Sequence, residues 1–484
     1  VQAAIKESQQ NTVQEYKVIP IMISLLLAGF IGMFNETALN VALSDLIDLF
    51  HISASTAQWL TTGYLLALGI LVPISGLLLQ WFSTRQLFIA SLIFSILGTL
   101  VAALAPGFEI LMIARVIQAA GVALMLPLMF NTVLVIIPAE KRGGAYGLIG
   151  LVLVVAPAVG PTITGLLIEK LSWNWIFWLS LPILVISFLF GMRFMQNIST
   201  ITKPKIDIFS LIFSTLGFGG IVFAFSSAGE GEGGWGTTKV VFSMVVGVLG
   251  LMIFIIRQLK MKQPMMELRA FRHPMFTIGT LMIFFTLILM LSAMLVLPIY
   301  LIRGLGLSAF TTGLVLLPGG ILNAIMLPIM GRVFDKFGLK WVVPSGYVII
   351  TVTLWFLSGI TIATPLALII VLHSCLMIGI SMVWMPSQAN GLNQLPPELY
   401  PHGSAIMNTL QQLAGAIGTA VAVSIMTGGM NSFMKDVADK AAPGNGPLAW
   451  IAGIQDAFIF AIVVAIVGLF FAFFIKRVHV GKQQ

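Results

Sequence analysis

Fourteen long apolar runs, each cut from the next by a short charged, proline or glycine-rich break, constrain this 484-residue chain more than any motif in it. They lie near 18–44, 56–80, 86–105, 109–136, 143–168, 174–195, 207–228, 239–258, 275–302, 311–334, 340–361, 364–395, 402–430 and 457–477. A run of roughly 20 apolar residues crosses a bilayer as a helix that satisfies its own backbone. The runs do not alternate every second residue, as the strands of a barrel would. With 58% hydrophobic and 9% charged residues, the chain has too little polar surface to cover a soluble globule. The expected class is an all-α membrane protein.

Charge then sets the expected orientation. With a cytoplasmic N-terminus, the inside segments carry 19 of the 25 Lys and Arg residues, the outside ones five, and Arg115 lies within a helix. That bias predicts both termini on the cytoplasmic side and an even helix count. The net charge of +8 therefore reads as topology, not as a nucleic-acid-binding face. The first run is too long for a cleavable signal and no small-residue cleavage site follows it.

A weak internal repeat suggests two halves. Thr61-Thr62-Gly63 followed by Pro73-Ile74-Ser75-Gly76 is echoed by Thr311-Thr312-Gly313 followed by Pro328-Ile329-Met330-Gly331. The plan is six plus two plus six helices: a cytoplasmic segment 1–17, a six-helix bundle 18–195, a linker with two additional helices 196–258, a basic cytoplasmic loop 259–274, a second six-helix bundle 275–477 and a tail 478–484.

An ionisable side chain inside a spanning helix is costly and so marks function. Glu36 lies 19 residues past Lys17 and nine before Asp45, roughly 28 Å from the inner end of its helix and 13 Å from the outer. Arg115 lies six residues past Glu109, roughly 9 Å in from the outer side. The two are at similar depth, and a movement that changed their separation would change the proton affinity of the carboxylate. The plainer alternative is a static buried ion pair that only fixes packing.

Other polar residues stand in apolar runs. His373 is expected near the midplane, where it either contacts a ligand or serves as a satisfied packing residue. Asn40, Asn323, Gln388, Asn408 and Gln411 either line a cavity or bond between helices. Trp384 and Met385, on the helix of His373, offer adaptable apolar surface to a substrate or to the core. The single cysteine, Cys375, has no partner for a disulfide or a cysteine-based zinc site, and neither metal nor cofactor is expected. No His-Glu-x-x-His, cysteine pair or nucleophile with a base appears, which argues against an intramembrane enzyme. Nor can a charged ring or a re-entrant filter of a channel be read.

Several motifs then fall in a recognisable order. Gly331-Arg332-Val333-Phe334-Asp335-Lys336-Phe337-Gly338 resembles the loop motif after the second helix of each major facilitator half. Its N-terminal copy, Gly76 to Ser83, has Gln80 in place of the usual Asp. Arg115 to Gly121 resembles the family's proton-coupling motif, and Ala156 to Gly165, with Gly160, Pro161 and Gly165, its antiporter signature. Ser172-Trp173-Asn174-Trp175 is similar to the usual Trp-Arg-Trp entry to the sixth helix, with Asn174 replacing Arg. Asn35 to Leu43 resembles the first-helix motif, with Asn35 at the usual Asp and the carboxylate moved to Glu36.

Together these motifs resemble the fourteen-helix drug:proton antiporter family of major facilitators, in its lincomycin-resistance-type branch. The resemblance implies a major facilitator fold that exports lipophilic or cationic drugs against protons by alternating access, with the proton gradient as energy source and a monomer as the working unit. It assigns proton coupling to Glu36 and Arg115. It gives Asp335 the task of capping a neighbouring helix and holding the inner side closed. The runner-up is a same-fold exporter of an endogenous amphiphile such as a lipid, fatty acid or metabolite.

Overall fold

The computed structural model describes residues 17–52, 54–198, 201–230, 234–436 and 445–478. The expected segments 1–17 and 478–484 thus lie almost wholly outside the described residues, as does the whole stretch 437–444.

The described residues contain fourteen α-helices and no strand. In chain order they are α1 (Val18–Phe50), α2 (Ala54–Trp81), α3 (Thr84–Ala103), α4 (Phe108–Ile136), α5 (Arg142–Lys170), α6 (Trp175–Phe194), α7 (Ile208–Glu230), α8 (Thr238–Lys260), α9 (Pro274–Ile299), α10 (Ala309–Phe337), α11 (Val342–Ser358), α12 (Leu366–Asn393), α13 (Tyr400–Asp436) and α14 (Asn445–Ala472). Thirteen are long and apolar enough to cross a membrane; α11, with 17 residues, is shorter. Two expected boundaries need correction. The last helix starts at Asn445 rather than near 457, and α1 runs on to Phe50 rather than ending near 44. In both places polar residues, such as Gln455-Asp456 and Asp45 with Asp48, continue the helix beyond the apolar run that marked it.

Local chemistry explains the ends. Ser83 and Gln86 form a reciprocal capping box at the start of α3, and Ser308 accepts the Thr311 amide at the start of α10. Gly338, with φ of +81°, stops α10 in a conformation that glycine adopts without strain. Prolines 73, 127, 182, 298, 318, 328 and 386 lie inside spanning helices, where neighbouring helices can re-satisfy the carbonyls they free.

Helices α1–α6 pack on one another, as do α9–α14, and the two groups meet along two seams: α5 against α10, and α2 against α13. The first seam is nearly backbone on backbone. A Cβ placed on Gly147 would stand 2.6 Å from the Leu327 carbonyl oxygen and the Pro328 Cα, and Gly143 and Gly331 meet even more tightly. At the second seam Gly76 lies against Ala405 and Pro401. These contacts gather at one face, which also carries Arg85, Arg142, Arg332, Lys336 and Arg477 and is called the basic face below. The additional pair α7–α8 lies outside the two groups, with α7 against both α2 and α13. Trp341, at the start of α11, is 78% exposed and Trp355, near its end, 72%.

Candidate functional site

Helix α4 carries the most buried charge among the described residues. Arg115 is fully buried, and a charged side chain at such depth costs about 2.5–3.5 kcal/mol on insertion scales unless its donors are used. They are used on backbone carbonyls. Nε donates to Leu60 O at 3.2 Å, Nη1 to Asn35 O at 2.8 Å, and Nη2 to Glu36 O at 3.4 Å. Nη1 also reaches Gln118 Oε1 at 3.2 Å, and the guanidinium lies 4.1 Å over the Tyr64 ring. The planar fork of arginine thus ties α4 to α1 and α2 in one place.

Glu36 and Arg115, expected at similar depth, are neighbours through the backbone of Glu36. Arg115 touches the backbone of Glu36, and no ion pair joins their side chains among the described residues. The reason is the rotation of about 100° per residue along a helix. Asn35, in the position facing α4 and α6, accepts the Ser180 hydroxyl at 2.9 Å, and Glu36 is turned one residue's rotation away from it. Glu36 Oε2 is buried and accepts no hydrogen bond among the described residues. The static ion pair weighed as the plainer alternative is likewise not formed.

At the basic face, Asp335 near the end of α10 accepts the Gly143 and Gly144 amides, each at 2.8 Å. Those amides open α5, so the carboxylate caps a helix of the opposite half, where an anion is favoured by the helix dipole. Its own carbonyl accepts from Arg477. Arg332 is exposed beside Gly144, and no ion pair joins it or Lys336 to Asp335 among the described residues. Gln80 makes no such cap: its Nε2 bonds Gly76 O at 2.9 Å within its own helix.

Sequence reasoning missed the neighbour of this cap. Arg142, read only as a topology charge, is buried and donates to Asn393 Oδ1 at 2.8 Å and to the Tyr400 hydroxyl at 3.4 Å, so α5 also reaches the end of α12 and the start of α13. Its signal in the sequence was position alone, one residue before the glycine pair that opens α5. Tyr64 and Gln118 were missed likewise, because nothing in an apolar run says which aromatic or amide faces the arginine.

The substrate candidates divide. His373 is wedged against Gly319, where a Cβ would lie 2.8 Å from Nε2, and Asn323 Nδ2 contacts Met377 Sδ at 3.6 Å. Both contacts join α10 to α12 inside one half, in keeping with the packing alternative. Gln411 Nε2 bonds Gln388 Oε1 at 3.3 Å between α13 and α12, and Asn408 donates to Ser404 O in its own helix. Trp384 Nε1 and Gln388 Nε2 are buried donors with no partner among the described residues. Met385 packs on Gly150 of α5, across the halves. Of the antiporter-signature residues, Gly160 lets Thr37 of α1 approach, but nothing lies within 4 Å of a Cβ on Gly165, so tight packing there is not observed. The side chains of Asn40 and Pro161 lie outside the described residues. Asn174 donates to Ala103 O at 3.3 Å.

A family model described as Major Facilitator Superfamily matches residues 25–419, most of the chain. The chain belongs to the Major Facilitator Superfamily. The Lincomycin resistance protein LmrB of Bacillus subtilis (strain 168) is 63% identical, over 98% of this chain and 99% of its own length. The Lincomycin resistance protein LmrB of Listeria monocytogenes is 59% identical, over 96% and 98%. The Multidrug export protein EmrB of Haemophilus influenzae is 26% identical, over 84% and 80%. The crystal structure of the human organic anion transporter MFSD10 (TETRAN) shares the fold, with a TM-score of 0.62 at 12% identity, over 95% of this chain and all of that one. As a major facilitator the chain is a multi-pass transporter of the bacterial plasma membrane, not an enzyme.

Proposed function

We propose that this major facilitator exports lipophilic or cationic drugs in exchange for protons, as a monomer, with the basic face in the cytoplasm and the proton gradient as its energy source. Export of drugs is supported by relatives named for lincomycin resistance and multidrug export. Proton exchange rests on one observation: Glu36, beside the Arg115 cage, has a buried carboxylate oxygen that accepts no hydrogen bond among the described residues. A carboxylate so placed is expensive when charged, so it takes up a proton when burial deepens and gives it up when water reaches it. Alternating access supplies that change. Trp384, Gln388 and Gln411, on facing helices of the C-terminal half, are the residues proposed to meet the substrate. The test is dye efflux from proteoliposomes under an imposed proton gradient. Efflux should follow the gradient in the wild type and collapse with an uncoupler; efflux that ignores the gradient would remove proton exchange from the reading.

A further inference from the structure

The two seams between the halves are held differently at the basic face. Asp335 closes the α5–α10 seam through the two amides of α5. At the pseudo-equivalent place on the α2–α13 seam stands Gln80 in place of a carboxylate, and its amide is turned onto its own helix. Yet the α2–α13 seam is not left to apolar contact alone. We propose that the α7–α8 hairpin is a bracket that fastens the basic ends of α2 and α13 to one another, in place of the cap missing at Gln80. The proposal rests on the alternating-access reading above.

The bracket can be followed bond by bond. At the α2 end, the Gln80 carbonyl accepts the amides of Thr202 at 3.1 Å and Lys203 at 3.3 Å, and Trp81 Nε1 donates to Pro204 O at 2.8 Å. Lys203 holds a φ of +45°, a conformation that a side chain bearing a Cβ rarely adopts and that survives only where surrounding contacts impose it. The linker then enters α7, where Asp207 receives the fork of Arg257 of α8 on both carboxylate oxygens, one at 2.7 Å. Gln258 binds Ser210 across the same hairpin at 2.6 Å and, through its Oε1, holds the Met266 amide at 3.1 Å. One residue on, the Glu267 amide donates to His402 Nδ1 at 3.2 Å, in the first turn of α13.

A continuous run of hydrogen bonds thus leads from the last turn of α2, through the basic end of the hairpin, to the first turn of α13. Opening the basic face requires those two helix ends to part, so some of these bonds must break. The hairpin is also tied at the opposite face, by Thr62 with Ser226 at 3.3 Å on α2 and Trp235 with Ser424 at 2.6 Å on α13. With both ends fastened, it cannot follow one half freely as the halves rock.

The experiment measures distances, not transport, in the full chain carrying Cys375→Ala and reconstituted in lipid nanodiscs. Spin labels at positions 82 and 398 report the α2–α13 seam; labels at 140 and 337 report the α5–α10 seam. Asp207→Ala, and separately His402→Ala, should raise the population with separated 82–398 labels several-fold while moving the 140–337 pair less. The swap Asp207→Arg with Arg257→Asp should restore the short distance. Should Asp207→Ala fail to insert, Gln258→Ala cuts the same path. An unchanged 82–398 distribution in properly inserted variants, or equal widening of both seams, would overturn the bracket. Because neither substrate nor gradient is needed, loss of the drug:proton reading would leave this result standing.

Discussion

Moving a carboxylate one place along a helix turns it by about 100°, and the neighbourhood of Arg115 shows what that does. Asn35 keeps the inward position and binds Ser180, while the guanidinium takes carbonyls in place of a counter-ion. Two outcomes follow. Glu36→Gln should abolish gradient-driven efflux while elution profile and melting temperature stay unchanged, since Glu36 Oε2 carries no hydrogen bond that the amide would break; full gradient-driven efflux would clear Glu36 of any role. Arg115→Lys should lower the melting temperature and slow efflux together, because lysine cannot span α1 and α2 at once and each charged bond lost is worth about 1.5–3 kcal/mol. A variant as stable and active as the wild type would show that the fork is dispensable. The sequence made Glu36 and Arg115 legible because charge inside an apolar run stands out. Their partners were not legible: carbonyls carry no residue identity, and Tyr64 looks like any aromatic of a spanning helix.

Among the elements, the α5–α10 pair depends on a carboxylate and on missing side chains. Asp335→Asn leaves one neutral acceptor where two amides of α5 are bound, sets an N–H donor against the other, and forfeits the attraction of an anion to a helix start, typically about 0.3–1 kcal/mol. It should reduce transport more than Gln80→Ala, whose side chain bonds only its own helix; equal effects in initial-rate assays would refute the unequal latching. In the hairpin, the Arg257 fork, through its hydrogen bonds, holds the Asp207 carboxyl well below the usual carboxylate range. A depressed folded value means that the stabilisation is complete above the ordinary Asp range, about 3.9, and is lost as pH falls through the lower folded value. Asp207→Asn should therefore melt earlier than the wild type by a constant margin from pH 5 to pH 8; a margin that vanished within that range would contradict the pairing. The existence of these helices could be read from apolar runs, and Asp335 from its motif. The correct end of α10 against the start of α5 could not, because which glycines touch is decided by tertiary packing.

For the whole molecule, the charge bias and the clustering of inter-half contacts on the basic face suggest one orientation. A cysteine at position 236 should react with an impermeant reagent from outside, and one at the exposed position 262 only after permeabilisation. Labelling of 262 from outside would invert the assignment. A six-plus-two-plus-six division could be expected from sequence because basic breaks and a faint repeat survive in it. The ties of the hairpin were hidden, since serines, glutamines and linker amides carry no periodic signal. The short helix α11 has a consequence for the bilayer. Seventeen residues reach about 25 Å at 1.5 Å per residue, against a hydrocarbon thickness of about 30 Å, and exposed Trp341 and Trp355 sit near its two ends, where such rings prefer the interface. A helix that short favours local thinning of the lipid on that flank, so efflux is expected to be faster in vesicles of shorter acyl chains than of longer ones, and equal rates in both would refute it.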